Sequence, residues 1–350
     1  MPDTEENQEL YPQPEGQKKG CGFPVMRIVA IFSLATGILL ASRKSNLGVS
    51  ERALWHDMWD CYQENDVVLA DRGFCSFADF WMLSKRKVDC VMRLHQKRGK
   101  RKGKGKGKSE GKIEDEIEIK GEGVKIIKKF NKNDWLVQWK KTGNCPKWLT
   151  KKEWQQLPQT ITVRHVKVNI DIPGFRTRKV IVATTLLDNK KYSTQALAQL
   201  YRRRWLAELF LRDMKTTMRM EVLRCKTPNL VHKELTIFII AYNLIRSLIL
   251  QAALKKGIDP YCISVAGTIA TIRQWAPILA TLKHPKEKEA LINSFLELLA
   301  SDILPGRNSP QIHPRAIKRR PKNYQLLTKP RHEFREIPHR HKYRKNLAFS

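Results

Sequence analysis

Between Lys97 and Lys108 the chain places eight basic residues in twelve, spaced by glycine and with no acid among them. Such a run cannot bury itself, so whatever core the chain builds must be assembled from segments on either side of it. It reads either as a phosphate-binding loop or as a solvated linker, because unstructured lysines attract polyanions without a defined site. Upstream, Val25 to Phe32 and Ile38 to Ala41 predict adjacent strands. Ser50 is placed to cap a helix reaching about Gln63, with Leu54, Trp55, Met58 and Trp59 at helical spacing. Asp66 to Ala70 predicts a strand, Phe77 to Lys85 a short helix, and Asp89 to Leu94 another strand. Downstream, Lys179 to Leu187 predicts one more core strand, and Ser193 the cap of a helix.

The apolar segments on the two sides complete one another, which favours one α/β core interrupted by an insertion. The boundaries that follow are an extended polar arm over 1–23, the first part of the core over 24–95, and a β-rich insertion with the basic loop over 96–175. The second part of the core and C-terminal helices cover 176–304, and a basic tail 305–350. In the insertion, short β-branched and aromatic stretches such as Ile161 to Val168 alternate with polar turns.

Two long apolar stretches test for membranes. Ile28 to Ala41 is too short to cross a bilayer. Residues 237–254 are longer, but Asn243 and Arg246 fall in mid-segment, which predicts a buried helix rather than a span. Seven cysteines without a Cys-x-x-Cys pair suggest neither a zinc ribbon nor a disulfide framework. With no targeting segment, the expected location is the cytoplasm.

Tyr201, Arg204, Glu208 and Lys215 carry the chemistry. At about 100° per residue on a continuous helix they fall at roughly 0°, 300°, 340° and 320°, an arc of about 60° that aligns one carboxylate with two cations and a phenol. Asp71 ends the strand Val67 to Ala70 and supplies a second acid at a sheet edge. Two carboxylates distant in sequence, flanked by cations, suit metal-dependent phosphoryl transfer: oxygen ligands hold a hard divalent ion and the cations hold phosphate. The balance of 66 basic against 34 acidic residues, a net charge of +32, points to nucleic acid as partner. His165 and His232 have no partner at ligand spacing and read as structural.

At Leu200-Tyr201-Arg202-Arg203-Arg204-Trp205, Glu208, Lys215, Asn243 to Arg246 and Asp71-Arg72-Gly73-Phe74, the sequence resembles the DDE insertion-sequence transposases of the Tyr-Arg-Glu-Lys signature subgroup. The resemblance implies an RNase-H-like mixed sheet flanked by helices, interrupted by a β-rich insertion and followed by a helical C-terminal region. It implies Asp71 and Glu208 as catalytic acids and ligands for Mg2+ or Mn2+. Tyr201, Arg204 and Lys215 would contact DNA, joined by Arg212 through its place on the helix face.

By the same resemblance, double-stranded DNA (element ends and target) is the partner, a homodimer assembles on it, and the setting is the bacterial nucleoid. The activity implied is cleavage and strand transfer of a mobile element. The family's first acid lies on a first core strand, in an Asp-Gly-Ser or Asp-Gly-Thr context. Asp3, with Pro2 before it and Thr4 after it, does not match. The expectation is therefore a truncated copy lacking that acid and the usual N-terminal DNA-binding region. An inactive DNA-binding remnant and a related metal-dependent nuclease are the alternatives. Some members of the subgroup cut through a DNA hairpin, so at least one of Trp135, Trp139, Trp148 and Trp154 is expected to face the cleft, against the alternative that they form the insertion's core.

Overall fold

The computed structural model describes residues 1–304 except 19, 96–97, 99, 102–116, 119–122, 147 and 170–178, together with Glu333. The basic run is thus only partly among them, and the tail lies outside them.

A β-hairpin comes first, β1 Arg27–Phe32 against β2 Leu39–Ser45, turned at Gly37 in the left-handed region with φ +77°. Helix α2 (Glu51–His56) follows, capped by Ser50 as expected, and then β3 Val67–Ala70, α3 Phe77–Lys85 and β4 Asp89–Arg93. A two-residue pair, β5 Lys100–Arg101 with β6 Ile117–Glu118, precedes β7 Val124–Asn131 and β8 Asp134–Lys140. Helix α4 (Lys151–Gln156) leads to β9 Thr160–Asn169 and β10 Lys179–Thr184.

The main sheet has six strands in the order β3-β4-β10-β9-β8-β7; β3 and β4 are parallel and the other pairs antiparallel. This mixed sheet with flanking helices and a helical C-terminal region is consistent with an RNase-H-like fold. Of the described strands in the predicted insertion, β5 and β6 pair with each other, whereas β7, β8 and β9 form no separate sheet. They extend the core sheet, because β9 pairs along β10 from Lys179 to Thr184 and carries β8 and β7 beyond it.

Side chains alternate across this sheet. Cys90, Met92, Val137, Trp139, Val163, Ile181 and Ala183 face a core built with α2 and α3. Val91, Val166, Val168, Val180 and Val182 face the opposite side, where Leu197 and Tyr201 of α5 (Thr194–Arg202) cover them. The hairpin packs against α6 (Trp205–Arg212) and α7 (Pro228–Lys256) through Leu39, Phe210, Met214 and Tyr242. Helices α8 (Val265–Thr281) and α9 (Pro285–Ser301) complete a separate cluster on α7.

The first 23 residues depart from the extended arm expected of them. Thr4 caps a helix, α1 (Glu5–Leu10), which docks on the start of α7. The Thr4 hydroxyl and the Asn7 amide both donate to the Lys226 carbonyl, and the Tyr11 hydroxyl meets His232 Nε2 at 2.6 Å. A polar composition hid three anchors, because the docking runs through hydrogen bonds rather than an apolar stripe.

Helix α7 carries an 18-residue window of mean hydropathy 1.8, long and apolar enough to cross a membrane, of which 33% is buried. Its two polar interruptions have partners within the fold. Asn243 pairs with both backbone groups of Leu39, and Arg246 is buried against Asp213. Gly257, at φ +66°, closes the helix.

Candidate active site

Strands β3 and β4 run parallel, with Ala70 opposite Met92, so Asp71 and Arg93 emerge side by side at their C-terminal ends. Asp71 is held by the chain that follows it: its Oδ1 accepts the Arg72 N–H at 2.8 Å and caps the short turn Arg72–Phe74. Across from this edge stands α5, whose Ser193 accepts the Ala196 N–H as its cap. The end of α5 presents Tyr201, 6% exposed and packed on the sheet.

Burial raises the Tyr201 pKa, countered by Arg204 and reinforced by the Asp71 carboxylate, with Arg93 also acting on it. The phenol therefore remains a hydrogen-bond donor. Burial opposes the charge on Arg204, but Tyr201, Glu208 and Asp71 outweigh it and raise its pKa above the usual arginine value. Arg204 meets Glu208 Oε1 at 2.9 Å. Asp71 and Glu208 thus both act on one guanidinium. Arg93 is a participant that sequence reading missed; its signal was its position at a strand end, the same position as Asp71.

The continuous helix expected through the signature does not form. Helix α5 stops at Arg202 and α6 begins at Trp205. Between them, bonds from Arg204 to Tyr201, Leu206 to Arg203 and Ala207 to Arg204 span three residues, a tightened stretch. Arg203 is drawn out of the helix, donating to the Leu34 carbonyl and the Tyr261 hydroxyl. Beyond α6 the chain loosens into a π turn, Asp213–Thr217, closed by Met218 N–H to Asp213 O. The two departures have opposite sign, one overwinding and one underwinding the helix.

The structure therefore groups Asp71, Tyr201, Arg204 and Glu208 and sets the other two predicted residues apart. Arg212 is 61% exposed at the end of α6, 3.8 Å from Asp213. Lys215 is exposed on the π turn, lining a small cavity with Met26, Ile28 and Leu39 of the hairpin region. Asp3 is remote in role, accepting a hydrogen bond from Gln8 Nε2 at 2.6 Å beside α1.

The predicted tryptophans belong to the core. Trp139 is fully buried and gives its N–H to His165 Nε2 at 2.9 Å, while Trp135, Trp148 and Trp154 pack against the same cluster. His165 is neutral, its pKa lowered to about 3 by burial and then by Arg98.

A family model, the transposase DDE domain, matches residues 4–244. The chain belongs to this family. Among curated proteins it is 26% identical over 336 residues to the transposase InsG for insertion sequence element IS4 of Escherichia coli (strain K12), covering 94% of this chain and 67% of that protein. The DDE family implies DNA as partner and a divalent metal, typically Mg2+ or Mn2+. Among the described residues no group of three or more His, Cys, Asp or Glu could hold a metal. Two carboxylates fit Mg2+ nonetheless, since that ion keeps several waters and takes one or two protein carboxylates together with substrate phosphates.

Proposed function

We propose that this DDE transposase cleaves and joins double-stranded DNA at the edge where β3 and β4 end, with Asp71 and Glu208 as the acids that hold the metal. The observation carrying this reading is the Arg204 guanidinium, which Asp71 and Glu208 both influence although they come from a strand end and a helix far apart in sequence. A bound divalent ion would supply Lewis-acid stabilisation of the phosphate and activation of the attacking oxygen. Tyr201, protonated, donates to a phosphate oxygen. Arg204 and Arg93 offset its charge, and Arg212 and Lys215 extend the cationic surface along the duplex.

The third acid is the open part of the proposal. The resemblance sets it on a strand of its own, and Asp3 does not serve. Among the described residues β1 pairs with β2 alone and β3 with β4 alone. Val29 and Ile31 of β1 nevertheless pack with Val68 and Ala70 of β3 in one core cluster. A strand seated between β1 and β3 would unite hairpin and sheet and bring an acid beside Asp71. Without such an acid, the site has two carboxylates for the metal, and DNA is bound but cut weakly or not at all. Among the described residues, Asp71 and Glu208 are the two carboxylates that act on Arg204, which favours DNA binding with weak cleavage.

Two measurements test the proposal. Mn2+ binding followed by electron paramagnetic resonance is expected to weaken in both Asp71→Asn and Glu208→Gln; unchanged binding in both would remove these residues from the metal site. Nicking of element-end DNA by the purified chain should be weak, and strong nicking abolished by Asp3→Ala would reassign the first acid. Sedimentation of the chain with and without DNA tests whether a dimer forms on the duplex. A cytoplasmic, nucleoid-associated setting follows from the DNA partner.

A further inference from the structure

The π turn that carries Lys215 does not arise from its own sequence, since Asp213-Met214-Lys215-Thr216-Thr217 contains no proline or glycine to interrupt a helix. Its first residue is pulled inward. Asp213 Oδ2 accepts from Arg246 on α7 at 2.9 Å, and the Arg246 side chain is only 3% exposed. Arg246 is itself fixed on all sides. Its Nε donates to the Tyr242 hydroxyl at 3.1 Å, that hydroxyl donates to the Gly37 carbonyl at 2.7 Å, and the guanidinium lies 4.6 Å from the Phe210 ring centroid. A Cβ on Gly37 would come within 3.0 Å of Arg246 Nε, so the hairpin turn closes the last side.

The widened loop begins at the residue this arginine holds, and Met218 N–H reaches back to Asp213 O across five positions. Met220 N–H to Met214 O and Glu221 N–H to Lys215 O then span six positions each, as the chain turns at Arg219 with φ +63°. Drawing Asp213 toward α7 feeds one extra residue into the turn, and that residue shifts the direction in which Lys215 leaves the backbone.

We propose that Arg246 is a positioning residue: through Asp213 it holds the π turn open and so sets the direction of Lys215 relative to Glu208. This rests on the reading of Lys215 as a phosphate contact. The consequence is that the direction of a DNA-facing side chain is set from α7, by a residue outside the proposed contacts to DNA and metal.

The experiment uses the full chain, a labelled mixed-sequence duplex and a salt titration of affinity. Lys215→Ala is expected to reduce the slope of log affinity against log salt by about 0.9, the share of one phosphate contact. Arg246→Met alone strands the Asp213 carboxylate and destabilises the fold, which would mix a stability loss into the binding readout. The informative variant is therefore the pair Asp213→Leu/Arg246→Met, which removes both charges and keeps apolar volume. It is expected to fold with an unchanged melting temperature and yet to show the slope of Lys215→Ala, with no further loss when the two are combined. Restoring the pair as Asp213→Glu/Arg246→Lys should recover part of the slope. Amide hydrogen exchange supplies a readout independent of DNA: in the charge-free pair, protection at Met218, Met220 and Glu221 should change while that of α6 stays.

A charge-free pair with full salt slope and unchanged exchange over 218–221 overturns the proposal. If Lys215→Ala leaves the slope unaltered, the phosphate reading of Lys215 fails, and the exchange pattern alone decides whether Arg246 shapes the turn.

Discussion

Two buried arginine–aspartate pairs bracket the signature segment, and they are built differently. At its start, Arg164 and Asp134 meet through two bonds of 2.8 and 2.6 Å, with side chains 0% and 2% exposed. The remaining donors of Arg164 go to the carbonyls of Leu186, Asp188 and Tyr192, and Asp134 also accepts the Thr194 hydroxyl. This pair ties β8 and β9 to the connection before α5 and to its first residue. At the far end, Arg246 and Asp213 share one bond of 2.9 Å, and burial keeps the Asp213 pKa raised despite Arg246 and Arg212 beside it. The first pair is a two-bond strut inside regular sheet; the second shares a single bond and sits where the helix is irregular. The first ties the origin of the signature segment to the sheet, and the second ties its end to α7.

The largest test of the contrast is Arg164→Met, which leaves Asp134 buried without its cation and is expected to cost about 3–5 kcal/mol. Urea unfolding measures it, and a loss below about 1 kcal/mol would show that the strut is not structural. Arg246→Met should cost less, about 2–3 kcal/mol, because Asp213 retains some solvent contact and the nearby Arg212. Equal losses at the two sites would erase the distinction drawn between them.

Acid should separate the two ends further. His165 sits on β9 next to Arg164, neutral in the fold with a pKa of about 3 against 6.5 when unfolded. Below about pH 6 the unfolded chain binds a proton that the folded chain refuses. Stability from this residue is full above pH 6.5 and falls by up to about 1.4 kcal/mol per pH unit until about pH 3. His165→Gln should flatten that part of the profile relative to the parent chain, and hydrogen exchange near pH 5 should loosen β8 and β9 before α7. Identical pH profiles would show that burial does not lower the His165 pKa in the fold.

The smallest effect belongs to the site itself. Glu208 and Arg204 form an i,i+4 pair with side chains 43% and 24% exposed, so Glu208→Gln should alter stability by less than about 1 kcal/mol. A thermal shift of many degrees would mean that Glu208 is a structural residue rather than one available to a metal.

The local elements were legible because their signals are local. Ser50 and Ser193 cap helices as their side chains predict, α3 runs from Phe77 to Lys85, and Asp71 closes a short apolar strand. The residues of the signature stand out by type and spacing, and the charge points to the DNA partner that the DDE family implies. Periodicity could not show that the signature breaks at Arg203 and widens at Asp213, because the bonds made at both places go to residues distant in sequence, Leu34, Tyr261 and Arg246. Nor could it show that the insertion strands join the core sheet, since strand pairing is decided by which backbone edges meet. Likewise, the docking of α1 depends on the Lys226 carbonyl and His232 more than two hundred positions away. Sequence alone fixed which groups could do chemistry and which segments could be helix or strand, through side-chain type and short-range periodicity. Only the tertiary structure decided how they face one another, because buried hydrogen bonds and ion pairs select a single arrangement by leaving every other one with unpaired polar groups.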